Sequence, residues 1–392
     1  MKKIESLFSQ VKWKYYLNYI AIALITVILT IATISGGIKQ SNLFMLEKIT
    51  INITLAVSLS LIVGFLGELS LGHAGFMCVG AYFGGITSII LDNRANLAGN
   101  SLLSFVISAI IGALVAGVCG FVIGLPALRL RGDYLAIVTL AFGEIVKTIF
   151  ENLTFTIGNK KLGGPIGIRT PRFDKQYLFI IGFVIVLITI TVIQNLIRSK
   201  HGRAITAIRD NEIAARATGI NVTKYKLTGF VISSIFAGAA GVLYSFANSN
   251  VSAAMFDYNK SIEILVMVVL GGMGNVTGAI ISATFITFLD IKLQSVLTGD
   301  LAVLNDIIYA LILVIVLIYN NAPALCTLRA KYNAKTLVSK LFGFFRDKHG
   351  YEDDDSKWDR VPTKIDMDEV LSVDVVVNES IQKNDNEGKS NA

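Results

Sequence analysis

The side chains that could do chemistry are few and far apart in this sequence. His73, His201 and His349 are its three histidines, and their separation forms no metal-ligand pattern. Cys78, Cys119 and Cys326 form none either, and the first two sit in apolar runs where small thiols pack. Gly388-Lys389-Ser390 ends like a phosphate-cradling loop, but Lys383 stands where that loop needs its first glycine, so the chain has no nucleotide-hydrolysing motif. What remains is binding chemistry, carried by ionisable groups inside apolar stretches. Glu144 and Lys147 lie three apart in GDYLAIVTLAFGEIVKTIF, positioned either to mark a pathway or to pair with each other. His73, between Gly72 and Gly75, either lines a path or is satisfied by a carbonyl freed at a glycine break. Glu68 reads as an anchor near one membrane face, Glu263 as a helix N-terminal acid, and Asp290, Lys292 and Asp306 as interfacial charges. No catalytic constellation is present, and the expectation is a protein that is not an enzyme.

The elements that must carry these groups are membrane spans. Apolar residues make up 53% of the chain and charged ones 16%, with a mean hydropathy of +0.64, and several apolar runs approach the roughly 20 residues that cross a bilayer. The predicted fold class is all-α, a polytopic helical transmembrane bundle of about 8–10 membrane segments. The spans read as Tyr15–Gly36, Ile49–Leu66, Leu69–Leu91, Leu102–Gly124, Asp133–Phe150 with Asp133 as N-cap, Tyr177–Ile197, Leu227–Ala247 and Leu301–Tyr319. Between the last two, Ile262–Leu270 and Val276–Leu289 flank Gly271-Gly272-Met273-Gly274 as a Gly-rich broken hairpin. Lys2, Lys3, Lys12 and Lys14 hold the N-terminus inside, and Arg329, Lys331, Lys335 and Lys340 the C-terminal side, giving N-in/C-in. The outer loop Glu151–Gln176 violates the positive-inside trend locally, but inverting it would put either the Arg129/Arg131 turn or the polar stretch Arg198–Lys226 outside.

Broken helices at membrane depth are tolerated where they are buried or line a cavity, which makes Gly72, His73, Gly75, Gly271, Gly272 and Gly274 the candidate translocation path, joined by the intramembrane carboxylate Glu144. Leu66-Gly67 through Phe76 and Leu270-Gly271 through Ile280 align as a weak internal repeat. Four regions follow: a cytoplasmic N-terminus (1–14), a transmembrane domain (15–320), a basic juxtamembrane segment (321–349) and a disordered acidic tail (350–392). From Arg346 onward there are 13 acids and 7 bases, net −6, so the rest of the +7 chain carries +13. Anchoring at the membrane's inner face accounts for that charge, and no nucleic acid is required.

The most polar stretch between two long apolar ones is Arg198–Lys226, with seven Lys/Arg against Asp210 and Glu212. It contains two short helical patterns, one with Ala204, Ile205, Ala207 and Ile208 on its apolar side, the other with Ile213, Ala214, Ala217 and Ile220. Asp210 or Asn211 caps the second helix, Glu212 sits in its first turn and Gly219 is its C′ stop. Such a helix is built to press into a groove; the alternative is a basic loop that only fixes orientation.

Glu212, Ala214-Ala215, three residues and Gly219 resemble the EAA-xxx-G coupling loop of ABC-transporter permeases, with the first acid one residue early. The wider HGRAITAIRDNEIAARATGI resembles the M-type subunit of the branched-chain amino acid permeases, as do LGELSLGHAGFMCVGAY, GDYLAIVTLAFGEI and the Gly163-Gly164-Pro165 loop, over about Tyr15 to Tyr319. The resemblance implies a multi-pass permease subunit in the bacterial cytoplasmic (inner) membrane. Its implied partners are a homologous second permease, two cytoplasmic ATPases that use the ATP, an extracytoplasmic substrate-binding protein and membrane lipids. This chain itself would hold no cofactor. Arg203, Arg209, Asp210, Glu212, Ala214, Ala215 and Gly219 would then form the ATPase-coupling loop, and Gly163, Gly164 and Pro165 a docking surface for the binding protein. Related urea, amide or sugar importers are the near alternatives, and a secondary transporter is a more distant one.

Overall fold

A computed structural model describes residues 40–95, 102–130, 132–157, 160–170, 175–248 and 250–296, with isolated positions at 26, 30, 33, 310, 311, 314 and 318. The spans expected at Tyr15–Gly36 and Leu301–Tyr319 fall almost wholly outside the described residues; the N-terminal segment, the juxtamembrane segment and the acidic tail lie entirely outside them.

The long helices are α1 (Gln40–Ser60), α2 (His73–Ala95), α3 (Leu102–Ala127), α4 (Asp133–Asn152), α5 (Lys175–Arg198), α8 (Val222–Ala247), α9 (Tyr258–Gly271) and α10 (Val276–Val296), with the short α6 (Lys200–Asp210) and α7 (Glu212–Ala217) between α5 and α8. Among the described residues, six segments are long and apolar enough to cross a membrane: Ser41–Leu66, His73–Asp92, Leu102–Ala127, Leu178–Arg198, Val222–Ala247 and Val276–Ser295. α4 carries Asp133, Glu144, Lys147 and Glu151. α9 has 14 residues, about 21 Å of helix against an apolar core of roughly 30 Å.

The first long segment is the axis of the bundle. α1 continues into a single π-helical turn, Leu61–Leu66, closed by Gly67 at φ +76°. It packs on α5, α8, α9 and α10, while α8 packs on α2 and α3. On α3 the small residues Gly112, Ala116, Gly120 and Gly124 recur every four positions and are turned inward. The opposite face, with Ile110, Leu114, Val118 and Val122, is exposed and apolar. Without a hydrophobic drive between helices in lipid, close backbone approach supplies the packing, and small residues permit it. A β-carbon on Gly112 would stand 2.8 Å from the carbonyl oxygen of Gly80 on α2.

Several sequence expectations are corrected. The all-α class holds for the bundle, but the Glu151–Gln176 loop contains an antiparallel hairpin, β1 (Thr154–Ile157) with β2 (Lys160–Gly163). The expected spans at Ile49 and Leu69 begin instead at Gln40 and His73, leaving residues 67–72 non-helical. Gly132, at φ +59°, is the N-cap of α4, and Asp133 belongs to its first turn. The first arm of the broken hairpin starts at Tyr258, because Asp257 caps it through the Lys260 N–H at 3.1 Å, so Glu263 lies in its second turn.

Candidate functional site

The stretch between α5 and α8 is folded by local chemistry. Ser199 caps α6 by accepting from the His201 and Gly202 N–H groups at 3.1 and 3.3 Å. Asn211, rather than Asp210, caps α7 by accepting from the Ala214 N–H at 3.0 Å. The other end of α7 is a Schellman stop: the Gly219 N–H donates to Arg216 O at 3.0 Å and the Ile220 N–H to Ala215 O at 3.1 Å, with Gly219 at φ +85°. That motif brings the residue after the glycine back onto the last turn. Ile220 therefore packs with Ile208, Ala215 and Val222, and the expected face of Ile213, Ala214, Ala217 and Ile220 is split. Ile213, 73% exposed, Ala214 and Ala217 remain outward as a small apolar face on a six-residue helix. On α6, Ile205 and Ile208 are buried while Ala207 and Arg203 are exposed.

Two polar tethers join this stretch to the bundle. Arg209 donates from Nη1 to Gly64 O in the π turn at 3.1 Å, and its Nε and Nη2 hold Asp210 Oδ1 at 3.1 and 3.0 Å. Gly64 is among the last residues of its helix, whose carbonyls have no intrahelical donor, and π turns occur often at functional positions. The second tether is an ion chain. Glu212 pairs with Arg216 at 2.6 Å and with Lys226 at 3.2 Å, and Lys226 pairs in turn with Glu68. Lys226 is buried, so its charge depends on those two carboxylates.

The same point receives the second glycine turn. Gly64 faces Gly274 so closely that a β-carbon on Gly64 would overlap the Gly274 amide, and Arg209 Nη1 lies 3.6 Å from where a Gly274 β-carbon would be. Gly64, two residues before the first of the aligned stretches, thus meets Gly274 of the second backbone to backbone beside Arg209. Gly272 and Gly274 adopt φ +89° and +83°, and Gly271 faces Gly278 across the α9–α10 turn.

The remaining expected path residues lie elsewhere. Gly72 and Gly75 let α2 approach α4 at Thr139 and Gly143. His73 is fully buried, its Nε2 2.8 Å from Ser58 Oγ, while its Nδ1 has no hydrogen-bond partner among the described residues. Its partner is thus a hydroxyl on α1 rather than the freed carbonyl considered from the sequence. Glu144 pairs with Lys147 at 3.4 Å and accepts from the Tyr258 N–H at 2.9 Å, tying α4 to the start of α9. In the Glu151–Gln176 loop, Gly163 ends β2 and Gly164 opens the turn that follows, both buried: the Gly163 N–H donates to Gly167 O and the Gly164 N–H to Leu153 O, at 2.9 and 3.0 Å. Pro165 and Ile166 project outward.

A group that sequence reading missed lies at the far end of α9. Lys48, Asn52, Lys260, Glu263, Thr287 and Asp290 line a cavity of about 170 Å³ between α1, α9 and α10. From the sequence, Glu263 reads only as a helix N-terminal acid and Asp290 as an interfacial charge, and Lys48, Lys260 and Thr287 carry no motif. The one available signal was the presence of charges on three apolar segments, which periodicity cannot bring together.

Comparison with known proteins follows the same outline. Residues 41–317 match the family described as branched-chain amino acid transport system / permease component. The high-affinity branched-chain amino acid transport system permease protein LivM of Salmonella typhimurium is 34% identical over 310 residues, covering 71% of this chain and 68% of that one. LivM of Escherichia coli (strain K12) is 35% identical over 307 residues, 70% and 67% of the two chains. The ribose import permease protein RbsC of the same strain is 28% identical over 314 residues, 76% of this chain and 92% of its own. No solved structure matches.

Proposed function

The chain belongs to the branched-chain amino acid transport permease family, and from that premise we propose that it is the permease subunit of an ABC importer forming part of the translocation path for branched-chain amino acids. It is a membrane transport protein and not an enzyme. In this reading it works beside a homologous permease, with two cytoplasmic ATPases and an extracytoplasmic binding protein, in a fold of about 8–10 segments with both termini inside. One observation carries the coupling role: α7 is capped at both ends, keeps Ile213, Ala214 and Ala217 outward, and is tied by neighbouring Arg209 to the carbonyl of Gly64. A helix held this way seats its apolar face in an ATPase groove. A push on it reaches the π turn and the Gly272–Gly274 turn together, because both touch Arg209 or lie beside it. The outward Pro165 and Ile166 present a small surface to the binding protein on the opposite side.

The test is uptake of labelled leucine, urea and ribose by the complex reconstituted in vesicles, with and without ATP. ATP-dependent leucine uptake is expected. Ile213→Asp should abolish it and release the ATPases on purification, because a carboxylate cannot enter an apolar groove unpaired. Full uptake by Ile213→Asp would remove α7 from the coupling role. The similarity to the ribose permease over most of its length favours a sugar importer as the second reading, and ribose uptake in place of leucine would select it.

A further inference from the structure

The cavity at the far end of α9 has a composition that structural packing alone does not call for. Two cations and two anions face it, Lys48 and Lys260 with Glu263 and Asp290. Lys260 is satisfied, by Glu263 at 2.9 Å and Asn52 Oδ1 at 3.4 Å. Asn52 is held in turn by Thr287 at 2.8 Å. Lys48 and Asp290 are not matched in this way. Among the described residues neither has an ion-pair partner; Lys48 rests over the Phe44 ring at 4.9 Å, and Asp290 accepts only from Gln294 at 2.9 Å. Charges inside membrane segments are costly and mark binding sites or pathways by default. Here a cation and an anion, both short of a partner, face one space.

The rest of the wall is of a different kind. Ile51, Met77, Tyr244 and Met255 close the other sides of the cavity. Its volume of about 170 Å³ is near the ~150 Å³ at which an apolar protein cavity accepts a benzene ring, enough for a branched aliphatic side chain. The cavity adjoins a wider recess of about 600 Å³ lined by Asp257, Asn259 and Gln294 as well as by shared residues. It lies at the start of α9, whereas the end of that helix, Gly271, adjoins the glycine turn next to Arg209. The recess is therefore on the side away from α6 and α7.

We propose that this cavity receives the zwitterionic head of an α-amino acid, Lys48 taking the carboxylate, Asp290 the ammonium, and the Ile51, Met77, Tyr244 and Met255 wall the aliphatic side chain. The proposal rests on the importer reading for its direction: the recess opens toward the side from which a binding protein delivers. It adds a site within this chain and a reason for its chemistry. A substrate with both charges on one carbon completes the pairing that the protein leaves open, and a neutral sugar does not.

Two measurements decide it. The purified permease complex is heated with leucine, with leucinamide (no carboxylate) or with 4-methylpentanoate (no ammonium), since a ligand that binds only the folded state raises the unfolding temperature. Leucine is expected to raise it, and neither analogue to do so. In reconstituted vesicles, Lys48→Gln and Asp290→Asn are each expected to lower leucine uptake roughly tenfold, about the effect of one charge-assisted contact, with ATPase subunits still bound. Equal stabilisation by all three compounds, stabilisation by none, or full uptake by both variants overturns the site. A variant that fails to fold leaves the decision with the wild-type analogue series. The importer reading fails separately. A wild type that imports no leucine, but is stabilised by leucine and by neither analogue, keeps the site and refutes the importer. A wild type that imports leucine and is stabilised by none keeps the importer and refutes the site.

Discussion

The two ends of α9 place polar groups under opposite rules. At its C-terminal end, beside α6 and α7, the key charges are matched within the protein: Arg209 with Asp210 and Gly64 O, and Lys226 with both Glu212 and Glu68. The backbones there touch through Gly64 and Gly274 with no side chain between them. At its N-terminal end the cavity leaves Lys48 and Asp290 without ion-pair partners among the described residues. A region whose groups satisfy one another moves as a unit and suits transmission of force. A region that holds back a cation and an anion suits a ligand that brings the complement. The lesson is that the charge count of a membrane segment says little until its partners are known.

The strongest way to break this contrast is at Lys226. Replacing it with methionine keeps the length but strands Glu68, and leaves Glu212 to Arg216 alone of its two cations, in a site where Lys226 is only 4% exposed. Removing one partner of a buried ion pair costs about 3–5 kcal/mol, and this one serves two carboxylates. Lys226→Met, at the start of α8, is expected to lower the unfolding temperature of the purified complex more than the single changes in α6 and α7, with leucine uptake lost. The double variant Lys226→Met/Glu68→Gln should recover part of that stability, because one stranded charge is gone. A Lys226→Met protein as stable as the wild type would show that the ion chain is not what holds α7 to the bundle.

A smaller effect separates contact from mere glycine content. A β-carbon on Gly64 collides with the Gly274 backbone, which cannot rotate away, so Gly64→Ala should destabilise by about 1–3 kcal/mol through overpacking. It should also part the two glycine turns and lower uptake. Gly229, inside α8, has nothing within 4 Å of its β-carbon position. Gly229→Ala should therefore stabilise by about 0.4–1 kcal/mol, since it only restricts the unfolded chain. Equal responses at the two positions, measured by thermal unfolding, would mean that the turns are not in working contact.

How much of this was legible depended on how far apart in the chain the cooperating residues lie. The stop at Gly219 was readable, the cap was narrowed to Asp210 or Asn211, and the Glu144–Lys147 pair was one of two readings, because each is settled within four or five residues, and hydrogen bonding at that range follows from residue type. The bundle was readable from the length of its apolar runs. The π turn was not, because LIVGFL carries no signal that separates it from an ordinary helical turn. The cavity was not readable either: Asn52 and Thr287 are 235 positions apart, and only packing makes them neighbours. His73 shows the intermediate case. Its burial followed from its surroundings, but its partner, Ser58, belongs to a helix whose register against α2 periodicity does not fix.

The smallest expected effect tests whether α7 needs its shape or only its sequence. Gly219 has φ +85° and open space around its β-carbon position, so substitution there meets no steric block inside the chain. The only internal penalty is conformational, about 1 kcal/mol or slightly more for alanine in left-handed geometry, and less for asparagine, which tolerates that region. Gly219→Ala should loosen the Schellman stop and release Ile220 from Ile208, Ala215 and Val222, which changes how firmly Ile213, Ala214 and Ala217 are presented. The expected result is a small drop in unfolding temperature and a partial loss of leucine uptake for alanine, with asparagine closer to the wild type in both. Leucine-induced stabilisation should be unchanged in both variants, because the cavity lies at the other end of α9. If alanine and asparagine are equally impaired in uptake while equally stable, the glycine is required by the surface that α7 meets and not by the turn itself. If both lose leucine stabilisation, the two ends of α9 are not independent and the contrast between them fails.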